Sequence, residues 1–215
     1  MRKKLILGTI PGFIGIMLFL QGQTLAQGGE AETLKFSYAF GEPEIVGMDE
    51  YARVSLPGLS QYGSEGEPVL PVRTVKILLP AGRTFAGVNV VTSTMRGIEG
   101  EYLLEPGQGS FIRQTERIAP DPGVYSLDTP YPPAVYEVVT LQNKRGYLIL
   151  YLNLFPARYL PRQKRLSWCG EMEVEIITRP APVAAGYRGL AKDRKLIRSQ
   201  VHNPEAAETY ALRER

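Results

Sequence analysis

The sequence is short of the residues from which most catalytic and metal centres are built. Its 215 residues include one cysteine, Cys169, and one histidine, His202. A single cysteine closes no internal disulfide, so the fold has to be held by packing. Neither Cys-x-x-Cys nor His-x-x-x-His occurs, which removes the common metal signatures. There is no phosphate loop and no Gly-x-Ser-x-Gly turn, so no cofactor and no metal are expected. No helical period runs through the stretch from Leu34 to Pro182, which argues against an α/β fold.

A marked excess of one charge is also missing. The chain carries 25 basic and 22 acidic residues, and three of the basic ones are Arg2, Lys3 and Lys4. Without those three, residues 27–182 hold 15 basic and 18 acidic side chains, and residues 183–215 hold 7 and 4. A nucleic-acid partner would need a basic face on the folded part, and the basic excess lies in the C-terminal tail instead. Nucleic acid is therefore excluded as a partner.

The N-terminus has a basic start, an apolar run from Leu5 to Leu20 and a small-residue exit at Thr24-Leu25-Ala26. This is a secretory signal pattern, with cleavage expected after Ala26. The competing reading is an uncleaved anchor. Pro11 and Gly12 interrupt the run, and a membrane span needs about 20 apolar residues. No later run is long enough to span, so no stable membrane span is expected once residues 1–26 are removed. The expected location is secreted or extracytoplasmic, in the periplasm or at the cell surface.

What the chain has in quantity is glycine (22), proline (17) and period-two alternation. "VRTVKILL" places Val75, Ile77 and Leu79 on one face and Lys76 on the other. "AVYEVVTLQ" separates Val135, Val139 and Leu141 from Tyr136 and Val138. "YLILYLNLF" is apolar on both faces, the mark of a strand covered on both sides. "LSWCGEMEVEII" sets Trp168, Met172, Val174 and Ile176 against Glu171, Glu173 and Glu175, and the same parity puts Cys169 on the glutamate face. Further strands are expected at "KFSYAF", "YARVSL" and "GVNVVTS". Turn clusters such as "PAGRT", "APDPG" and "QNKRG" separate these runs. The pattern predicts an all-β fold, an antiparallel β-sandwich over residues 27–182. Pro68, Pro71 and Pro80 bracket the strand at Val72–Leu79 and stiffen its ends.

After "TRPAPVAAG" the alternation stops. Residues 183–215 read as a charged linker and tail, poorly structured or short-helical near 190–201 and 205–212. Having few apolar residues, this tail is expected to dock weakly or stay mobile.

A Cys169–His202 dyad is disfavoured on two counts. Three carboxylates on the predicted face of Cys169 would raise its pKa, whereas a nucleophile needs it lowered, and His202 lies in the polar tail with nothing rigid to orient it. Three in-line glutamates on a strand are the usual solvent face of a sheet. The tyrosines of "YSLDTPYPPAVY" suit either a sugar platform or the cover of a core edge beside prolines. Arg113 and Arg117 stand in "GSFIRQTERIAPDPGVY", between strands and ahead of prolines. Arg213 and Arg215 end the chain. Exposed loops and tails are favoured sites of proteolysis.

The run "GEPVLPVRTVKILLPAGRTFAGVNV", followed by "RIAPDPGVYSLDTPYPPAVYEVVTLQNKRGYLILYLNLFPARYLPRQKRLSWCGEMEVEI", resembles the propeptide domain of gingipain-type cysteine peptidases. The likeness extends over roughly residues 36–177 and rests on the order of several motifs. It implies a secreted β-sandwich prodomain that assists folding of a cysteine peptidase catalytic domain, in cis or in trans, and keeps it latent. It further implies that a basic side chain on a loop enters the peptidase specificity pocket, with Arg113 and Arg117 in the comparable region. Arg213 and Arg215 fall near the expected release cut. The peptidase domain of that family and its catalytic histidine and cysteine have no counterpart in these residues. The expectation is a truncated product, a split gene or a free-standing propeptide-like protein that is not itself an enzyme. The alternative is a secreted β-sandwich binding module for carbohydrate or a surface protein.

Overall fold

The computed structural model describes residues 30–109 and 117–213. The predicted signal segment with Ala26, Arg113 of the loop and the terminal Arg215 lie outside them. Twelve strands follow in chain order. The first six are β1 (Glu32–Ala39), β2 (Glu44–Met48), β3 (Tyr51–Ser55), β4 (Ser60–Tyr62), β5 (Leu70–Leu78) and β6 (Arg83–Thr92). After β7 (Arg96–Ile98) and a one-turn helix α1 (Pro122–Tyr125) come β8 (Tyr136–Lys144), β9 (Tyr147–Leu154), β10 (Ala157–Leu160), β11 (Arg165–Trp168) and β12 (Glu171–Pro180). Helix α2 (Ala191–Arg198) and a 3-10 turn (Pro204–Thr209) complete the chain.

The strands form an antiparallel β-sandwich. One sheet has the order β1-β12-β6 and the other β4-β5-β9-β8, with a β2-β3 hairpin and a small β10-β11-β7 sheet beside them. Alternation builds the core as expected. Val75 and Ile77 pair across β5 and β9 with Leu152 and Leu150, and all four are fully buried against Met172, Val174 and Ile176 of β12. On the other face of β12, Glu171 and Glu173 are exposed, and Glu175 meets the Lys35 ammonium at 2.8 Å.

The reading of "LSWCGEMEVEII" as one strand needs correction. The run breaks at Cys169-Gly170, where β11 in the small sheet gives way to β12 in the large one. The break disrupts the parity, so Cys169 is buried in the core rather than set among the glutamates. Desolvation, not the carboxylates, raises its pKa.

The tail is short-helical and firmly packed. The reverse face of β5 and β9 presents Leu78, Tyr147 and Ile149, and all three are buried beneath Ile197, Ala206, Ala207 and Tyr210. Few apolar side chains suffice because each sits on the apolar strip that these two strands expose. The tail also finishes an edge of the sheet. β4 pairs β5 only at Leu70–Val72, which leaves the outward backbone of Lys76 and Leu78 without a strand partner. The Asn203 amide stands in for one: its Oδ1 accepts from Leu78 N–H at 2.8 Å and its Nδ2 donates to Leu78 C=O at 2.8 Å. His202 accepts from Lys76 N–H through Nδ1 at 3.0 Å, and its own N–H donates to Lys76 C=O at 2.8 Å. The Tyr210 hydroxyl donates to Leu79 C=O at 2.9 Å. Open strand edges invite unwanted pairing, and here side chains close one. His202 is thus held on β5 rather than free in a solvated tail.

Buried Asp193 fastens the tail to the β8–β9 turn. It accepts from Arg188 at 2.6 Å and from Arg145 on the turn at 2.5 Å. Burial acts to raise its pKa, but the hydrogen bonds from Arg188 and Arg145 outweigh it and hold the carboxyl below its ordinary value. A carboxyl depressed in the folded state contributes stability above its unfolded pKa, near 4, and loses it as pH falls through the lower native value. Hydrogen exchange of the 190–210 amides is therefore expected to accelerate as pH drops below about 4, after correction for intrinsic rates. In Asp193→Asn the tail should already be less protected at neutral pH and show less acid dependence. Asn203→Ala leaves the Leu78 N–H and C=O buried without partners. It should cost about 2–4 kcal/mol in urea unfolding, with the Leu78 amide among those most accelerated.

Candidate functional site

The segment between β7 and β8 carries the arginines singled out in the sequence, and residues 103–108 of it are anchored to the body. Its first part threads between β3 and the turn at 63–69. Ala52 N–H donates to Leu103 C=O at 2.8 Å, Glu105 N–H to Ala52 C=O at 3.0 Å, and Val69 N–H to Glu105 C=O at 3.0 Å. Glu105 is 8% exposed and accepts both nitrogens of the Arg53 fork, with Nη2 to Oε2 at 2.7 Å. A bidentate Arg–carboxylate pair fixes orientation as well as charge, so the strip is held by side chain and backbone together.

Gly107 and Gln108 form the neck of a loop. Gly107 N–H donates to Glu67 C=O at 2.7 Å, and its own C=O accepts from Gly66 N–H at 2.9 Å. A Cβ at Gly107 would stand 2.1 Å from the Ser64 carbonyl oxygen, so the strip approaches the turn at a distance that only glycine allows. The Gln108 side chain then bridges the two ends of the loop. Its Oε1 accepts from Ile118 N–H at 2.8 Å, and its Nε2 donates to Ile118 C=O and to Pro106 C=O, each at 3.0 Å. Residues 108 and 118, which bound the 109–117 segment, are joined by this one amide. Beyond it, Asp121 N–H donates to Gly66 C=O at 2.8 Å, and Asp121 Oδ1 caps Gly123 N–H of α1 at 2.8 Å. The Tyr125 hydroxyl donates to Leu104 C=O at 2.8 Å.

Arg117 stands immediately before the neck. Its side chain is exposed, with the guanidinium 5.5 Å from the ring centre of Tyr51 on β3, a cation–π arrangement worth about 0.5–1 kcal/mol at an exposed site. Arg113 is the middle residue of the 109–117 segment by sequence. Arg213 is exposed, and its backbone N–H donates to Gly189 C=O at 2.9 Å. The structure therefore brings Arg117 to the loop neck and Arg213 to the tail.

The tyrosine-rich loop forms a second feature, a groove of about 370 Å³ between the 62–67 turn and the start of β8. Its proline wall is pinned from below. Tyr131 and Tyr159 exchange backbone hydrogen bonds at 2.7 and 2.8 Å, and Arg158 donates to the carbonyls of Pro132 at 2.9 Å and Pro133 at 3.0 Å. Sequence inspection had no means of pairing Tyr131 with Glu67, 64 residues away, yet the Tyr131 hydroxyl donates to Glu67 Oε2 at 2.8 Å. No group of three or more His, Cys, Asp or Glu able to hold a metal occurs among the described residues, and no helix among them is long and apolar enough to cross a membrane.

The neck is open to a direct test. Gln108→Ala frees the Ile118 backbone, so limited trypsin digestion should cut after Arg117 faster than in the parent, with the melting temperature of the body little changed. Gly107→Ala has to move main chain against main chain and should lower that melting temperature.

Comparison with known proteins places this architecture. A family model described as Propeptide_C25 matches residues 34–208. No curated protein matches the chain. Among solved structures, the complex of Porphyromonas gingivalis RgpB pro- and mature domains is similar at 17% identity. The match has a TM-score of 0.64 and covers 84% of this chain and 95% of that one. A structure reported for the zymogenic latency of gingipain K from Porphyromonas gingivalis is similar at 19% identity. Its TM-score is 0.57, with 73% of this chain and 95% of that one covered. The matched span runs from within β1 to the 3-10 turn of the tail, and the chain belongs to the Propeptide_C25 family, the non-catalytic propeptide region of gingipain-type cysteine peptidases.

Proposed function

We propose that this chain is an exported latency domain that assists folding of a gingipain-type cysteine peptidase and inhibits it, in cis or in trans, through an arginine of the 109–117 loop. Residues 1–26 direct export to an extracytoplasmic location and are removed after Ala26. Residues 27–182 form the inhibitory body, and 183–215 lead from it to a release cut at Arg213 or Arg215. The observation that carries the reading is the neck: a buried, glycine-dependent strip joined to one bridging glutamine presents a short loop with two arginines. A loop stiff at its base loses less conformational freedom on docking, which favours binding without added contacts. Arg113 is the better pocket-filling residue, because Arg117 is next to the neck and already rests on Tyr51. A guanidinium entering a pocket with an opposed carboxylate forms a forked, charge-assisted pair.

The test is inhibition of a gingipain-type catalytic domain by the full chain, with Arg113→Ala and Arg117→Ala beside it. Micromolar chain should slow hydrolysis. Arg113→Ala should weaken inhibition about 30-fold or more, the equivalent of losing about 2 kcal/mol of buried ion pair, and Arg117→Ala should cost far less. Unchanged peptidase activity with the parent chain would sink the proposal. Loss confined to Arg117→Ala would exchange the two roles.

A further inference from the structure

The groove beside the loop neck has a hydrogen-bonding balance that selects its ligand. Phe155 is buried at its floor, with Tyr62 packed on it at a ring separation of 5.6 Å. Two carboxylates open into the groove, Glu67 from the 62–67 turn and Glu137 from β8. The Tyr62 and Tyr131 hydroxyls beside them are already committed, while those of Ser64 and Tyr136 in the lining are not. The Tyr131 hydroxyl donates to Glu67 Oε2 at 2.8 Å. Glu137 Oε2 receives Asn153 Nδ2 at 3.2 Å and the Tyr62 hydroxyl at 3.4 Å. Among the described residues, neither carboxylate has a basic side chain within salt-bridge distance. The other oxygen of each receives no hydrogen bond from them. Pro132 and Pro133 bring no N–H to the wall. Burial, reinforced by both carboxylates, raises the pKa of Tyr62 and of Tyr131, so the hydroxyls stay neutral and continue to donate to the glutamates.

Two carboxylate oxygens and the negative charge they carry are thus left unanswered between aromatic walls. A sugar brings donors and acceptors in equal measure and finds few donors to meet it here. A guanidinium or ammonium has donors only, gains from the faces of tyrosine rings, and supplies the missing positive charge. The groove also shares its Glu67 turn with the loop neck, since Gly107 N–H is bound to the Glu67 carbonyl. A partner engaged by the loop would therefore lie against the groove. We propose that the groove formed by Tyr62, Glu67, Tyr131, Tyr136, Glu137 and Phe155 receives an arginine or lysine side chain of the peptidase domain, as a second recognition point besides the loop. The identity of this partner rests on the latency reading; the cation chemistry of the groove does not.

The test has two arms. In the first, the full chain is titrated by NMR with N-acetyl-Gly-Arg-Gly-amide, its citrulline counterpart and a neutral oligosaccharide. The arginine peptide should shift the Tyr62 and Tyr131 resonances and bind at least about tenfold more tightly than the citrulline peptide, and less tightly in high salt. The Glu67→Gln/Glu137→Gln double variant keeps an acceptor oxygen for the tyrosines and should lose that preference. Equal binding of the citrulline peptide, tighter binding of the oligosaccharide, or an unchanged double variant overturns the proposal. In the second arm, association with a gingipain-type catalytic domain is measured for the parent and the double variant, with about a tenfold loss expected. Tight association that the double variant leaves unchanged removes the groove from the interface. No association with the parent chain sinks the latency reading and the peptidase as occupant, and the peptide arm then judges the groove chemistry alone.

Discussion

Strand β9 is apolar on both faces and β5 adds Leu78 to the reverse one, and a sheet with two apolar faces has to be covered twice. The first cover is the β1-β12-β6 sheet, whose Met172, Val174 and Ile176 close over Val75, Ile77, Leu150 and Leu152. The second is the C-terminal segment, whose Ile197, Ala207 and Tyr210 close over Leu78, Tyr147 and Ile149. At roughly 1.5–3 kcal/mol for each large apolar side chain buried, leaving off either cover would forfeit an amount comparable to the roughly 5–15 kcal/mol by which a domain is stable. The tail is thus part of the fold, and its polar composition is misleading because only a handful of its residues face the sheet.

The same central strand explains the edge. Pro71 lies near the start of β5 opposite Gln61 of β4, before the pairing with β9 begins at Arg73, where a missing N–H is tolerated. β4 ends after three residues, and the Asn203 amide with His202 takes over two residues at a time. Side-chain pairing of this kind uses groups that are close only because α2 has packed on the reverse face. Asp193 secures that packing through two arginines, one of them on the β8–β9 turn. Cover, edge and turn hold one another in place.

Against this body the working surface is small and local. The loop neck depends on Gly107, on the Gln108 bridge to Ile118 and on the Arg53–Glu105 pair beneath. The groove depends on Arg158 and on the Tyr131–Tyr159 bridge to keep its proline wall upright. Both meet at the 63–69 turn, which holds the loop neck through Gly66 and Glu67 and carries the Glu67 carboxylate of the groove.

The sequence by itself determined the strands, because period-two alternation records which faces are buried, as at Val75 and Ile77 of β5 and at Met172, Val174 and Ile176 of β12. It also determined the absence of an internal disulfide and, through the ordered proline motifs, the family. Tertiary structure decided the rest. Cys169 went to the core because the chain changes sheets at Gly170, a step that alternation cannot register. The tail folded onto the body because Leu78, Tyr147 and Ile149 were left uncovered by the sandwich. His202, Asn203, Glu67 and Glu137 acquired their roles from partners 16 to 126 residues away, and a hydrogen bond across such a distance exists only once packing has brought its two ends together.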